Sequence, residues 1–420
     1  MAGKIILASI LIGVVSGFLI TLYELAIIFV TYFIFMGNPA KTIPNLPIWY
    51  IYLVPTIAIF IVNYIVSKDR LVREYSINEI ADSIVQNTMI IKIKTLFLKI
   101  IASTLSLASG FMVGTEGPSA GIGAMIAYHI HKLLQLPKTL IKVSISIGAS
   151  SAIAAIFVSP LTGIAFAVEN IAYQFLKQYI GYLILASAIA FAISVQFLEP
   201  ISFKYSVGRD FNLSYIVANL LFIPFITFFI YFYLFLKKYL LHLIDLKIFK
   251  RFPQYRSYIF AIIGGGVVGT ILLIEPHAAF SGKNIVIHLI NQQAHIPIIL
   301  IFSVIVLRII GTTVSIYSNA IGGLFLPLMS IGALVGYGFG ELLLLYGFEI
   351  GVFSFAAIGA AVFMGVIMKL PLTAVVLAVE TTFDYNIVVA TAISVVLIEY
   401  LSSLYFHTQK RDVTRKEKLF

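Results

Sequence analysis

Long runs of apolar residues with few charges follow one another along most of the chain. They occupy residues 5 to 36, 48 to 66, 95 to 113, 179 to 198, 214 to 236, 258 to 274, 297 to 310 and 386 to 406. Each run is about long enough to cross the hydrocarbon core of a bilayer, which takes roughly 20 helical residues. A transmembrane β-barrel would show alternating segments of about ten residues instead. The pattern therefore predicts an all-α polytopic membrane protein.

Composition supports lipid as the solvent of this chain. Of its 420 residues, 60% are hydrophobic and 11% are charged, and the mean hydropathy is +1.04. That is more apolar surface than a water-soluble domain buries in one core. The first run follows Lys4 but continues to residue 36 without a small-residue cleavage pattern. We therefore expect a retained, tilted helix there and not a secretory signal.

The net charge of +10 comes from basic residues that flank the apolar runs. They lie in a loop near residue 70, in a second loop between residues 237 and 256, and in the tail after residue 409. Such a bias in short flanking segments marks the cytoplasmic side, so we expect a cytoplasmic C-terminus and no nucleic-acid partner. The short tail favours a prokaryotic plasma membrane over a larger protein with a soluble regulatory domain.

The chain matches itself at an offset of about half its length. Two segments share one pattern with identical spacing: Gly114-x-Glu116-x-Pro118-x3-Ile122-Gly123-Ala124 and Gly323-x-Phe325-x-Pro327-x3-Ile331-Gly332-Ala333. A second pair follows in the same order: Gly148-Ala149 with Pro160-Leu161-Thr162-x4-Ala167-Val168-Glu169, and Gly359-Ala360 with Pro371-Leu372-Thr373-x4-Ala378-Val379-Glu380. These pairs predict a first transmembrane repeat over residues 1–210, a second over 211–406, and a short basic cytoplasmic tail over 407–420.

Both first segments interrupt an apolar run with glycine and proline just before the run resumes. Transporters built from duplicated halves place the substrate site near the bilayer midplane, where interrupted helices of the two repeats meet. We therefore expect two inverted repeats whose interrupted helices aim at one point inside the membrane.

A helix that begins inside the membrane suits an anion. Its first N–H groups have no partner within the helix, and its dipole places partial positive charge at that end. Partial charges hold a halide weakly enough for it to leave again, as conduction requires. The candidate anion-binding residues are those of the two interrupted segments: Gly114, Thr115, Gly117, Pro118, Gly323, Leu324, Phe325, Leu326 and Pro327. The other interpretation is that these residues are packing glycines and helix kinks.

Glu116 lies inside the first interrupted segment, where an ionised carboxylate is costly unless it has a role or a partner. A carboxylate can mimic an anion, so it can occupy the site when charged and leave when protonated. We therefore predict that Glu116 is a gate and a proton carrier. The alternative is an acidic residue that only stabilises the first turn of the following helix.

These segments resemble the CLC family of chloride channels and chloride/proton exchangers. The family carries a G-[KR]-E-G-P motif, a G-x-F-x-P motif and a P-L-[TA] segment that ends in glutamates. Here they read Gly114-Thr115-Glu116-Gly117-Pro118, Gly323-Leu324-Phe325-Leu326-Pro327 and Pro160-Leu161-Thr162 through Glu169. The resemblance covers roughly residues 65 to 385. It implies the CLC-type fold and a homodimer with one pore per subunit, with Glu116 as external gating glutamate and the amides of Leu324 and Phe325 as ligands of the central anion.

Three positions depart from the family pattern. The family's G-S-G-I-P loop has no clear copy, and Glu74-Tyr75-Ser76-Ile77-Asn78 stands in its place, so that Tyr75 or Ser76 would replace the serine. The tyrosine near the family's last helix has Tyr405 as its candidate, although alignment by length leads to the tail beyond it.

The third departure concerns protons. The glutamate that brings protons from the inner side should follow Glu169 directly, but Asn170 stands there. Asparagine carries no proton, so Glu169 itself or water would have to replace it.

The resemblance implies exchange of chloride or another halide for protons, with membrane lipid around the protein and no catalysed reaction. Asn170 favours the alternative of a passive chloride channel, and the altered serine loop leaves a fluoride-selective relative open. A cation-coupled transporter of another fold should carry intramembrane acids in both first segments, but Phe325 stands where the first segment has Glu116.

An intramembrane enzyme has little support. The seven histidines are scattered, so no His-Glu-x-x-His zinc motif is present, and the lack of cysteine excludes thiolate metal sites and disulfides. We expect neither a metal site nor a cofactor. Charged residues in other apolar stretches are expected to pair with one another or to reach the interface: Glu24, Lys99, Arg308, Lys369 and Glu380.

Overall fold

The structure is a computed structural model that describes residues 2–73, 91–170, 178–203, 213–244, 256–291, 296–347 and 351–401. Secondary structure in these residues is helical, apart from one isolated bridge between two backbone segments. The helices are α1 (Ala2–Ile34), α2 (Ile48–Lys68), α3 (Ile93–Ala108), α4 (Glu116–Leu133), α5 (Ile141–Phe157), α6 (Pro160–Asn170), α7 (Ile180–Ser194), α8 (Leu213–Ile244), α9 (Arg256–Ile274), α10 (Ile298–Tyr317), α11 (Phe325–Leu345), α12 (Val352–Met368), α13 (Pro371–Thr382) and α14 (Ile387–Leu401). The all-helical fold class is confirmed.

The helices differ in length, as interrupted membrane helices do. Among the described residues, seven helical segments are long and apolar enough to cross a membrane, whereas the apolar helices α6, α7, α12, α13 and α14 are only 10 to 17 residues long. The central helices are enclosed by protein: 94% of the most apolar window around α5 is buried, against 33% for α2. A helix too short to cross the membrane leaves terminal N–H and C=O groups that other groups must satisfy.

The two halves repeat one arrangement. Helices α4, α5 and α6 of the first half correspond to α11, α12 and α13 of the second half. Both α5 and α12 end in a left-handed residue, Val158 with φ 53° and Lys369 with φ 58°, two positions before the proline that opens the next helix. A proline is tolerated in the first helical turn because its missing N–H would have no intrahelical acceptor there.

Glycine pairs bring equivalent helices of each half into close contact. A Cβ atom at Gly123 would overlap the carbonyl of Gly148, which packs α4 against α5. A Cβ atom at Gly332 would overlap the carbonyl of Gly359 in the same way between α11 and α12. Small residues at such crossings let helix backbones approach inside a membrane. These glycines of the repeated segments are thus packing positions in both halves.

The boundary predicted at residues 210 and 211 lies outside the described residues, as does the tail over 407–420. The charged residues inside apolar stretches have several kinds of partner. Arg308 is fully buried and donates to four backbone carbonyls, and Lys99 donates to the carbonyl of Val72 at 3.0 Å. Glu24 pairs with Lys283, which lies outside the set that we expected to pair internally.

Candidate anion site

The two interrupted segments meet in the middle of the fold. The N–H of Gly114 donates to the carbonyl of Gly323 at 2.8 Å, and the N–H of Gly323 donates back to Gly114 at 2.7 Å. This antiparallel bridge joins the residues just before α4 to those just before α11. It brings the first turns of two helices, one from each repeat, to a common point.

Glu116 fills the position at which the sequence predicted an anion. Its Oε1 accepts a hydrogen bond of 2.6 Å from the backbone N–H of Phe325, the first residue of α11. The side chain is 3% exposed, and Oε2 has no hydrogen-bond partner among the described residues. A carboxylate at a helix N-terminus is stabilised by the unpaired N–H groups and the helix dipole. The geometry therefore lets a carboxylate and a free anion compete for the same N–H group.

Glycines around Glu116 make room for the carboxylate. A Cβ atom at Gly114 or at Gly323 would overlap the Glu116 carboxyl group, and one at Gly117 would lie 3.1 Å from the Cα of Gly323. Pro118 and Pro327 occupy the first turns of α4 and α11, in line with the sequence prediction. The phenyl ring of Phe157, at the end of α5, packs on Phe325 with 4.7 Å between ring centres. The N-terminus of α11 is thus enclosed by apolar groups beside the carboxylate.

A second pair of carboxylates closes the N-termini of α6 and α13. Glu169, near the end of α6, accepts hydrogen bonds from the N–H groups of Leu372 and Thr373 and from the Thr373 hydroxyl, at 2.5 to 2.8 Å. These contacts hold Glu169 at the start of α13. The contacts between Glu169 and the second repeat were not apparent from sequence.

Glu380 makes the matching contacts in the opposite direction. It lies near the end of α13 and accepts from the N–H groups of Leu161 and Thr162, from the Thr162 hydroxyl and from Ser159. Each glutamate therefore caps the helix of the other repeat. Helices α6 and α13 must run antiparallel for this exchange, as expected for inverted repeats. Because we expected Glu380 to pair with another charge or to reach the interface, sequence analysis missed its capping role.

Two cavities approach the interrupted segments. The first, the basic cavity, has a volume of about 750 Å³ and is lined by Leu324 together with Arg73 and Lys237. The second, the mixed-charge cavity, has a volume of about 410 Å³ and is lined by Thr115 together with Glu24, Glu199 and Lys283. One cavity therefore ends beside the residue before Glu116, and the other beside the residue before Phe325.

The cavities open at opposite ends of α2. Asn38 and Pro39, in the connection between α1 and α2, line the mixed-charge cavity, whereas Arg73, a few residues after α2, lines the basic cavity. With 21 residues, α2 is about 30 Å long at 1.5 Å per residue, which matches the hydrocarbon thickness of a bilayer. The two cavities therefore reach the paired segments from opposite ends of a helix that is long enough to span a bilayer.

Several predicted site residues are not covered by this geometry. Tyr75, Ser76 and Tyr405 lie outside the described residues. Asn170 is the last residue of α6, and Leu326 is buried in the first turn of α11. Within the part of the chain that the structure describes, no group of three or more His, Asp or Glu residues is arranged to hold a metal ion.

The fold and these contacts define a membrane protein of the inverted-repeat class with interrupted helices. Residues 56–403 match the family described as voltage gated chloride channel, and the chain belongs to this family. This result confirms the resemblance drawn from the sequence motifs.

Individual relatives agree with that assignment. The chain is 26% identical over 345 residues to the H(+)/Cl(-) exchange transporter ClcA of Klebsiella pneumoniae (strain 342), covering 77% of this chain and 70% of that protein. Other curated relatives are covered over 64% of their length, so the match spans about two thirds of such proteins. Two solved structures share the fold: a slow cyanobacterial Cl-/H+ antiporter, with a TM-score of 0.83, 20% identity and 99% of both chains covered, and a CLC-type fluoride/proton antiporter, with a TM-score of 0.75, 22% identity and 96% of both chains covered.

Proposed function

We propose that the protein exchanges chloride, or another small anion, for protons across a membrane, with Glu116 as the group that both ions use. The observation that carries this proposal is the hydrogen bond from the Phe325 N–H to the Glu116 carboxylate. It places an ionisable side chain on the helix N-terminus that would otherwise bind the anion.

The exchange follows from competition at one site. When Glu116 is ionised, its carboxylate occupies the N-terminus of α11 and excludes the anion. Protonation removes the charge and weakens the attraction to the helix dipole, so the anion can take the position next to Phe325 and Leu324. Return of the ionised carboxylate displaces the anion. A proton on Glu116 and the return of the ionised carboxylate thus alternate with anion binding and release at one site. This alternation couples the movement of protons and anions.

Protons need a route to Glu116 from both faces. On one face the mixed-charge cavity ends at Thr115, next to Glu116. On the other face, Asn170 supplies no proton carrier, and the contacts of Glu169 with α13 favour a capping role for that glutamate. We therefore assign proton delivery on that face to water in the basic cavity, where Asn319 donates to Asn63 at 2.8 Å within a polar cluster with Ser257.

The orientation in the membrane follows from charge. Arg73 and Lys237 line the basic cavity, and Lys68 and Arg70 lie a few residues before Arg73 in the chain. Since positively charged flanks stay in the cytoplasm, we assign the basic cavity to the cytoplasmic face and the mixed-charge cavity to the outer face. The C-terminus is cytoplasmic in the same scheme, in the plasma membrane of a prokaryote.

The oligomeric state that we propose is a homodimer with one pore per chain. Its support is a set of exposed apolar side chains on α6 and α13, which contact each other, and on α14: Leu161, Leu372, Ile393 and Val396. Light scattering of detergent-purified protein, corrected for bound detergent, should give the mass of two chains. Tryptophan at positions 161 and 372 should reduce that mass to one chain, and the same change at the exposed Phe29 of α1 should leave it unaltered.

Flux from liposomes that contain the purified protein tests the transport proposal. An outward chloride gradient should drive proton uptake against the proton gradient when voltage is clamped with an ionophore, and Glu116→Gln should abolish this uptake while chloride still moves. Chloride flux without coupled protons in the unaltered protein would assign it as a passive channel, the alternative that Asn170 favours. Fluoride release without chloride release would assign it to fluoride, and no flux of any halide would refute anion transport.

A further inference from the structure

The mixed-charge cavity contains an ion pair that the exchange mechanism does not use. The Nζ of Lys283 lies 3.3 Å from Oε1 of Glu24, with side-chain exposures of 18% and 7%. Both residues line the cavity that ends at Thr115. A cation therefore stands on the path by which an anion would approach Glu116 from this face.

The backbone holds Lys283 in place. Gly282, just before it, has a φ of 98°, a left-handed value that favours glycine. Buried Arg308 donates from Nη1 to the carbonyl of Ala278 at 3.0 Å and from Nη2 to the carbonyl of Ser281 at 3.0 Å. These contacts fix the backbone immediately before Lys283. The lysine side chain therefore extends from a defined backbone position at the cavity wall.

Glu24 has an unsatisfied oxygen beside the ammonium group. Its Oε1 contacts Lys283, whereas Oε2 is buried and has no hydrogen-bond partner among the described residues. A buried oxygen of this kind is costly, and it points to a ligand or a proton that this site accepts at some stage. The carboxylate holds the position at which a free anion would contact Lys283.

Other charged or titratable groups at the cavity are few. Among the described lining residues, Lys283 is the one cation, Glu24 and Glu199 are the acids, and Tyr32 carries a phenol. Thr115, next to the gating residue, has no charge. Among the described lining residues, Lys283 is therefore the cation with which an entering anion can pair, once the anion displaces the Glu24 carboxylate.

We propose that Lys283 is a second anion-binding site, in which a monovalent halide competes with the Glu24 carboxylate for the ammonium group. The site captures anions at the outer mouth and passes them towards Thr115. Competition from Glu24 keeps the affinity low enough for release, since an unopposed lysine in a partly enclosed cavity would hold an anion too long for conduction. The proposal rests on the proposed anion transport.

Uptake of radioactive chloride with equal chloride on both sides tests the site, because this exchange gives the same signal for both orientations of the protein in liposomes. Lys283→Met should raise the half-saturating chloride concentration by about threefold to tenfold and leave the rate at saturation unchanged, while Lys283→Arg should behave as the unaltered protein. Impermeant salt should reduce the difference because it screens the charge. Lys41→Met removes a charge from the α1–α2 loop outside the cavity lining and is the matched control.

Glu24→Gln provides the opposite test, and it does not depend on whether Lys283→Met folds. Removal of the competing charge should lower the half-saturating chloride concentration by a similar factor. If Lys283→Met matches Lys41→Met, or if Glu24→Gln leaves half-saturation unchanged, the second site is refuted while anion transport stands.

Bromide soaked into crystals of Glu24→Gln separates this inference from the transport proposal. Anomalous density within hydrogen-bond reach of Lys283 Nζ would support the second site, even if liposome flux failed. Density next to the Phe325 N–H alone, or no density at either position, would refute the second site.

Discussion

The carboxylate of Glu116 and the backbone N–H of Phe325 lie 2.6 Å apart although 209 positions separate the two residues in the chain. The first belongs to the interrupted segment of one repeat and the second to that of the other. Neither segment alone forms the site, because one supplies the ionisable group and the other supplies the helix N-terminus. The predictions below follow from this contact and from the similar contacts at α6 and α13.

Gly114→Ala should drive the Glu116 carboxylate away from Phe325. The three atoms nearest to a Cβ at this position all belong to the Glu116 carboxyl group, and the backbone of Gly114 does not require glycine. Chloride flux should therefore rise and proton coupling should fall while Glu116 is still present. Simultaneous recording of chloride and proton flux in liposomes measures both effects.

A double-mutant cycle controls for other effects of the added methyl group. In a Glu116→Ala background the overlap no longer exists, so Gly114→Ala should then change flux by less than about twofold. Gly266→Ala, at a position in α9 with no atoms within 4 Å of the added Cβ, should leave both fluxes unaltered. Equal effects of Gly114→Ala in the two backgrounds would contradict the contact.

Acid on the outer face should increase anion flux. Protonation of Glu116 weakens its hold on the α11 N-terminus, so the anion displaces the carboxyl group more often as pH falls. Glu116→Gln should lose most of this dependence. A pH series of chloride flux in the two proteins measures the loss; an unchanged dependence in Glu116→Gln would require another proton acceptor.

Glu169→Gln and Glu380→Gln should each destabilise the protein by about 1 to 2 kcal/mol, because glutamine replaces a charged cap of a helix N-terminus with a neutral one. The two effects should be similar and slightly larger for Glu380→Gln, since both carboxylates accept from two backbone N–H groups and a threonine hydroxyl, and Glu380 also accepts from Ser159. Thermal unfolding of the detergent-purified variants measures the loss. Glu380→Gln thus serves as the matched control for Glu169→Gln.

The same pair decides whether Glu169 carries protons. A capping role predicts that Glu169→Gln keeps the ratio of protons to chloride ions. Loss of coupling in Glu169→Gln but not in Glu380→Gln would instead make Glu169 the substitute for the glutamate that Asn170 replaces.

Arg308→Met should destabilise the protein by roughly 3 kcal/mol, because several buried carbonyl groups lose a charged donor. Arg70→Met removes an exposed arginine and should cost less than about 0.5 kcal/mol. The melting temperatures of the two variants in the same detergent measure the difference. Similar melting temperatures would show that the Ala278–Ser281 carbonyls do not depend on Arg308.

The repeat could be predicted from sequence because its signals are local. Glycine and proline at fixed spacing mark a helix that begins anew, and a matched copy half a chain away marks the second repeat. Glu116 was recognisable for the same reason, since an acid inside an apolar segment needs a role or a partner. The family match over residues 56–403 and the Glu116 contact with Phe325 agree with these predictions.

Glu380 and Lys283 were not recognisable in this way. Each is a charged residue near an apolar stretch, and the adjacent sequence does not identify its partner. That partner lies 219 positions away for Glu380 and 259 positions away for Lys283. Their partners are backbone N–H groups of another repeat and the side chain of Glu24. Such contacts depend on how helices cross, which a pattern of apolar positions does not specify.

The sequence by itself determined the membrane-spanning class, the duplication, the interrupted helices and the candidate gate, because hydropathy, glycine, proline and an isolated acid act over a few residues. The tertiary structure decided which helix N-terminus each glutamate caps and which cavity each charged side chain lines. The physical reason is that a buried carboxylate accepts hydrogen bonds from unpaired N–H groups that lie within about 3 Å of it. In this protein, helix packing places N–H groups of the opposite repeat at that distance.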